Sequence, residues 1–557
     1  MIRAARSMAA LFLCTVISGS AVFAATISPD NPNIRYMGRW NFDNPSVPWV
    51  YWQGSSIIVN FQGTGIAIDL DAGSSTGQYR VIIDGVAATS RRYFSQNRTI
   101  HTLASDLPDG IHKLEIMKET RSGKSYFYGL DVTGTGLVAP PARPSLRIEF
   151  FGDSNMDGSS NYSEKNSGDM GTYYAFPAMV SRMLNAEMHN ESVGGAIIDG
   201  STDNCVGSFI FSEDYYNQDP GYRSGFDPHI IVINAGANDI YGANKNTIKN
   251  RYKAVIADLR TVYGSGPHIV LMNAYGWDTN EPANYTQEVV DEVGGNLSAL
   301  HYAWLWEQWH GCQWDHSGEA HQLVEHLASI NPAWVQVNPN DIIDGFGRNW
   351  DFANGSFEHK APFGGFGWRY YLDGVERVYD PAGADDGNYY IRLDSGEEVH
   401  QPTDATGDLL PGGTSGSQTY YITASIRGTA PGAQAQIQTH FEGQTMYTHD
   451  DNPATFQTST FDVTTSWQDY THTATASSGV WTIYNYLKAS SGTVEFDNVR
   501  MSNNPINCGN GGICGFDDLL NMALYWLSSD PSADYYDDDT GIVNHKDFGV
   551  LYGYWNP

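Results

Sequence analysis

Apolar residues alternate with polar or small ones from Asn33 to about Gly136. Ile57, Val59 and Phe61, then Ile66, Ile68 and Leu70, then Tyr79, Val81 and Ile83 take every second position. That period puts each set on one face of a strand, and QGTG, DAGSSTG and DG supply the turns between them. The pattern predicts an antiparallel β-sandwich over residues 26–137. LVAPPARPS follows, and its three prolines predict a stiff linker.

From residue 145 the pattern changes. SLRIEFFGDS ends an apolar run at a glycine, and TYYAFPAMVSRMLNAE spaces Phe176, Met179, Val180, Met183 and Leu184 for one helical face. HIIVINAGAND and HIVLMNAYG carry the uninterrupted apolar runs of buried parallel strands. HQLVEHLASI places Leu323, Val324, Leu327 and Ile330 at helical spacing again. Strands alternating with helices over residues 145–344 predict a doubly wound α/β domain with a parallel sheet. Ligands of such sheets sit at the carboxyl ends of the strands; GDS and GAND both fall there. Strand-like alternation returns over residues 345–503 and predicts a second β-sandwich. Residues 507–557 repeat themselves at a shift of 29, matching Gly512 with Gly541, Asp518 with Asp547 and Trp526 with Trp555. Two short loop–helix units account for that repeat.

A chain of 557 residues exceeds one hydrophobic core, in keeping with several domains. Acidic residues outnumber basic ones 63 to 31, for a formal charge of −32. That excess argues against nucleic acid or an anionic membrane as partner. Arg3 and Arg6, the apolar stretch from Met8 to Val22 and the small-residue end Val22-Phe23-Ala24 read as a signal peptide over residues 1–24, hence secretion. Cys14 leaves with it. Of the four cysteines that remain, Cys508 and Cys514 are expected to pair, and Cys205 with Cys312 is the weaker expectation. Their spacing offers no thiolate metal site.

The candidate chemistry lies in four blocks of the α/β region: Gly152-Asp153-Ser154, Gly194-Gly195, Gly236-Ala237-Asn238-Asp239 and a histidine-bearing segment. Taken singly, Ser154 reads as a helix cap, Asn238 as a turn residue and Asp239 as a loop brace. Taken in this order at strand ends, the blocks resemble the SGNH (GDSL-like) hydrolases. No GxSxG elbow surrounds Ser154, unlike ordinary α/β-hydrolases. The resemblance implies Ser154 as a nucleophile that needs a neighbouring imidazole. It also implies an oxyanion hole of the Ser154 and Gly195 N–H groups and the Asn238 amide.

CQWDHSGEAHQLVEHLA resembles the fourth block, which implies His316 as the base, with His321 on the first turn of the following helix as the alternative. The sequence departs from the family there. Ser317 stands where proline is usual, the spacing to His321 is one residue short, and Gln313 replaces the customary acid. Asp315, or a backbone carbonyl near Trp314, is left to orient the ring. His310 and His326 read as solvated.

RYMGRW, WQGSSIIVNFQGTGIAIDL and VIIDG ahead of the GDS block resemble carbohydrate esterase family 2. This implies a jelly-roll domain joined to an SGNH domain over about residues 30–335. The activity implied is removal of acetyl groups from xylan or glucomannan, through a Ser-His dyad, with no cofactor or metal. Trp277, Trp314 and Tyr241 are candidates for stacking on a sugar. NGSFE to FDNVRMS resembles the sandwich carbohydrate-binding modules, and the terminal repeat a dockerin-like pair of half EF-hands, which implies a docking partner. Its loops are poor in calcium ligands: Tyr536, Asp538, Thr540 and Asp547 in one, Asn507, Gly509, Gly511 and Asp518 in the other. Two rival readings remain, a general esterase or lipase of the same class and a non-catalytic binding protein with a decayed hydrolase domain.

Overall fold

The computed structural model describes residues 24–159, 170–200, 202–239, 243–274, 285–302, 310–347, 351–362, 365–368, 375–405, 414–442, 456–480 and 482–503. The rest of the signal segment, the terminal repeat with Cys508 and Cys514, and Tyr241 and Trp277 lie outside the described residues.

The N-terminal domain is one curled antiparallel sheet of eleven strands, where the sequence pattern predicts a sandwich. Its spine is β1 (Ser56–Asp71), flanked by β2 (Gly110–Lys118) and β3 (Ser125–Val138). The first half of β1 pairs with β2, and the second half with the strand Thr99–Ala104. The change of partner falls at Gly63 and Gly65. A Cβ on Gly63 would lie 2.3 Å from the Thr133 carbonyl of β3, so only glycine lets the two backbones approach there. One long bent strand therefore joins what periodicity presents as separate layers.

Alternation along β1 has a second consequence. Ile57, Val59 and Phe61 fill the core of the curled sheet. Ile58 points the other way and packs, with Met37, Ile82 and Met117, among Ile148, Phe150 and Met188 of the following domain. Both faces of this stretch are thus buried, one within the domain and one between domains.

That second domain is a five-stranded parallel sheet in the order β5-β4-β6-β7-β8. Its members are β4 (Leu146–Gly152), β5 (Ala186–Ser192), β6 (Ile230–Asn234), β7 (His268–Ala274) and β8 (Leu297–Tyr302). The short helix α1 (Ser154–Asp157) follows β4 directly, α2 (Phe176–Met183) comes before β5, and α3 (Lys245–Tyr263) joins β6 to β7. Helix α4 (Tyr285–Val293) joins β7 to β8, and α5 (Gln313–Ile330) closes the domain. Strand order reverses between β4 and β6, and a sheet of this kind opens its ligand crevice at that point.

Residues beyond 351 form two further antiparallel sheets, of five and four strands. Ile391, Ile422 and Phe496 of the first face Val399, Ile437 and Leu487 of the second across a common core. Trp314 of α5 is buried, its indole N–H donating to the Gly365 carbonyl at 3.0 Å. It docks this domain and is not an exposed sugar platform.

Arg39 bolts the first two domains together. Fully buried, it lies 3.0 Å from Glu149 of β4 and 3.2 Å from Glu191 of β5, and donates to the Phe209 and Ser212 carbonyls. Glu149, His189 and Glu191 bring ligand atoms within 4.8 Å of one another, but the guanidinium already supplies the positive charge at this place. One guanidinium faces two buried carboxyls, and burial drives Glu191 well above the usual carboxyl range.

Cys205 and Cys312 form no disulfide. The Cys205 thiol contacts the Thr202 carbonyl and the Ser208 hydroxyl, whereas Cys312 caps α5, so the expected bridge is absent. Among the described residues no helix is long and apolar enough to cross a membrane.

Candidate active site

Ser154 is the first residue of α1, where the apolar run of β4 meets the crevice between β4 and β6. Asp153 caps this helix by accepting from the Asn155 N–H at 3.1 Å. Burial pushes the Asp153 carboxyl up to about 7, with Asp157 and Asp239 adding to the effect and the Asn155 N–H opposing it. Ser154 itself is half-buried, and among the described residues its hydroxyl makes no hydrogen bond.

Behind Ser154 a buried polar network fixes the turn. The Asn155 amide donates to the Asn234 side chain at 3.0 Å and to Glu319 of α5 at 3.1 Å. Asn155, Asn234 and Glu319 are all buried, and burial holds the Glu319 carboxyl well above its ordinary range. α1, β6 and α5 are therefore tied together one residue from the candidate nucleophile.

Gly194 and Gly195 open the loop after β5. A Cβ on Gly194 would lie 3.7 Å from the Ser154 Cβ, so the two segments are in contact. Gly195 has φ +77, a conformation that suits glycine. Its N–H, like that of Ser154, has no hydrogen-bond partner among the described residues. Both N–H groups are thus unspent, on two segments that touch at Gly194 and Ser154. The Asn238 amide is already committed, donating to the Ala196 carbonyl at 2.9 Å and to Asp153 at 3.4 Å. Asp239 accepts from the Ile198 N–H and from Arg251, and so braces its loop.

Ser154, Gly195 and Asn238 meet at one end of the sheet; the histidines stand differently. Helix α5 begins at Gln313, so His316 lies on its first turn and His321 further along, whereas the sequence pattern starts the helix near His321. The earlier start comes from a capping box in which the Asp315 carboxylate accepts from the Cys312 N–H at 2.7 Å. Asp315 therefore serves the helix end.

His316 is fully buried, parallel to Phe176 of α2 at 6.3 Å between ring centres. Its Nδ1 accepts from the Phe176 N–H at 3.4 Å. Burial, aided by His310, lowers its pKa to about 3, so the ring is neutral at neutral pH. His321 faces Asn340 at 3.5 Å. Ser317, at the usual proline position, donates to the Ile342 carbonyl at 3.1 Å. His326 is half-buried against the Ser298 hydroxyl at 2.8 Å, with its pKa lowered by burial to about 4. Burial lowers His310 as well, so neither of these two is the solvated histidine expected.

Sequence reasoning passes over Asp157, Asn204 and Arg121. Asp157 lies within the GDSNMDG stretch, three residues after Ser154, and accepts from the Gly194 N–H at 2.8 Å. Asn204 donates to the Gly194 carbonyl at 3.4 Å. Arg121 reaches Asp157 from the N-terminal domain. Only the spacing of Asp157 from Ser154 was visible beforehand, and it carries no motif.

Residues 36–141 match the carbohydrate esterase 2 N-terminal family, and residues 150–314 match the GDSL-like lipase/acylhydrolase family. The chain is 28% identical over 321 residues to cellulase/esterase CelE of Acetivibrio thermocellus. The match covers 54% of this chain and 39% of that relative, so it spans well under half of the relative's length. A family two carbohydrate esterase from Cellvibrio japonicus superposes with a TM-score of 0.51 at 18% identity. It covers 56% of this chain and 98% of that one, and shows the shared fold.

Proposed function

From a chain that joins a carbohydrate esterase 2 N-terminal domain to a GDSL-like acylhydrolase domain, we propose a secreted carboxylic ester hydrolase that removes O-acetyl groups from plant polysaccharides such as xylan and glucomannan. One observation carries the reading: Ser154 stands at the crevice of the parallel sheet with two open backbone donors, its own and that of Gly195. Unspent backbone donors next to a nucleophile are what a developing oxyanion needs, which supports the reading.

Ser154 Oγ attacks the acetyl carbon, the sugar oxygen leaves with a proton, and water then releases acetate from the acyl-serine. His316 is the base we assign. It is neutral, and while its Nδ1 accepts from the Phe176 N–H its one proton sits on Nε2; to take the Ser154 proton at Nε2 the ring must first carry its own proton on Nδ1 and give up the Phe176 contact. A base within hydrogen-bond reach is required, and such bonds often tighten only with substrate bound. Asn238 joins the oxyanion only by turning its longer arm away from Asp153. Export by residues 1–24, sugar binding by the second sandwich and docking through residues 507–557 complete the proposal.

A second reading is favoured by the burial of His316 and the unbonded Ser154 hydroxyl: a glycan-binding protein whose hydrolase site has decayed. Labelling with a fluorophosphonate, followed by peptide mapping, separates the two. The esterase reading predicts one adduct on Ser154. Absence of labelling, together with retention on insoluble acetylated xylan, would favour the second.

A further inference from the structure

We propose that Arg121, a residue of the N-terminal domain, positions the oxyanion loop of the hydrolase domain by way of Asp157. This rests on the reading of Gly195 as an oxyanion donor, and it adds an inter-domain residue to that site.

Asp157 is fully buried at the end of α1. One carboxylate oxygen accepts from the Ser159 N–H at 2.9 Å and the Ser159 hydroxyl at 2.6 Å. The other accepts from the Gly194 N–H at 2.8 Å and from Arg121 Nε at 3.4 Å. Gly194 is held at its carbonyl too, by the Asn204 amide at 3.4 Å. Both ends of the Gly194 residue are therefore clamped. The next peptide N–H, that of Gly195, has no partner among the described residues, and Gly194 itself touches Ser154.

The clamp needs an ionised Asp157, because all its contacts are with donors. Burial opposes ionisation, and among the charged side chains Arg121 works against burial. The guanidinium comes from the turn between β2 and β3, and its side chain is 31% exposed. One of its terminal nitrogens would lie 3.5 Å from a Cβ placed on Gly194. Among the described residues the only other donor at the Asp157 oxygen that holds Gly194 is the Gly194 N–H itself. The chain of contacts thus runs Arg121, Asp157, Gly194, Gly195. The N–H that faces the reacting carbonyl is fixed from the neighbouring domain.

The test uses the full chain with Arg121→Met and Arg121→Lys. Hydrogen exchange of the peptide spanning Gly194 and Gly195 reads the clamp without reference to catalysis. Arg121→Met is expected to speed that exchange at least fivefold, and Arg121→Lys to restore most of the protection. On 4-nitrophenyl acetate, Arg121→Met is expected to lower kcat about tenfold with KM within twofold, and Arg121→Lys to recover it in part. Wild-type exchange in Arg121→Met would overturn the proposal, as would a wild-type kcat. If the unaltered protein hydrolyses no ester, the proposed function fails, while the exchange measurement still decides the role of Arg121.

Discussion

At the scale of single residues, Asp153 beside the nucleophile and His316, the assigned base, respond to burial in opposite directions. His316 stays neutral above about pH 3 because burial lowers its pKa, while Asp153 keeps its proton only below about pH 7, to which burial raises its carboxyl. Asp153 loses that proton near 3.8 when unfolded. Between those two values the folded state binds more protons, so the stability Asp153 confers is lost as pH rises toward 7. Asp153→Asn cannot titrate. Its melting temperature relative to wild type should therefore climb from pH 5 to pH 8, and a flat or falling difference would refute the assignment. The histidines separate by rate. His316→Ala should lower kcat on 4-nitrophenyl acetate about 10²- to 10⁴-fold, the range for a general base. His321→Ala, which faces Asn340, should leave it within twofold.

At the scale of elements, the start of α5 decides how the fourth block is presented. The Cys312–Asp315 capping box draws WDHSG into the helix. Asp315→Ala removes the acceptor for the Cys312 N–H and should cost about 1 kcal/mol, read as a fall in unfolding midpoint. Helix α5 also shows where sequence reasoning stops. Leu323, Val324 and Leu327 announce their helix by spacing, but a cysteine at the cap position gives no customary signal, so the first turn goes unread. The GDS and GAND blocks were legible because an apolar run ending in glycine marks the carboxyl end of a parallel strand. The curled N-terminal sheet was legible strand by strand. Its closure into one sheet was not, since periodicity sets the faces of β1 but not the change of partner at Gly63. The contact of Arg121 with Asp157 joins two domains and leaves no mark in either local pattern.

At the scale of the whole molecule, the first two domains behave as one body. Ile58 and Met117 pack into the core of the hydrolase domain, and Arg39 neutralises a carboxylate of its sheet. Arg39→Met would leave buried carboxyls without a cation and should cost about 3–5 kcal/mol by denaturant unfolding. Glu191→Gln, which mimics the protonated acid, should change stability by less than about 1 kcal/mol. Equal losses in the two variants would show that Glu191 is ionised. The same packing brings Arg121 to Asp157, three residues from Ser154, and on the proposed reading this makes the N-terminal domain part of the catalytic unit. The central claim is that Ser154 carries ester hydrolysis on an acetylated polysaccharide. It is tested most directly by acetate released from acetylated xylan by wild type and by Ser154→Ala. The account predicts steady release by wild type and background release by the variant; equal release, or none from wild type, would contradict it.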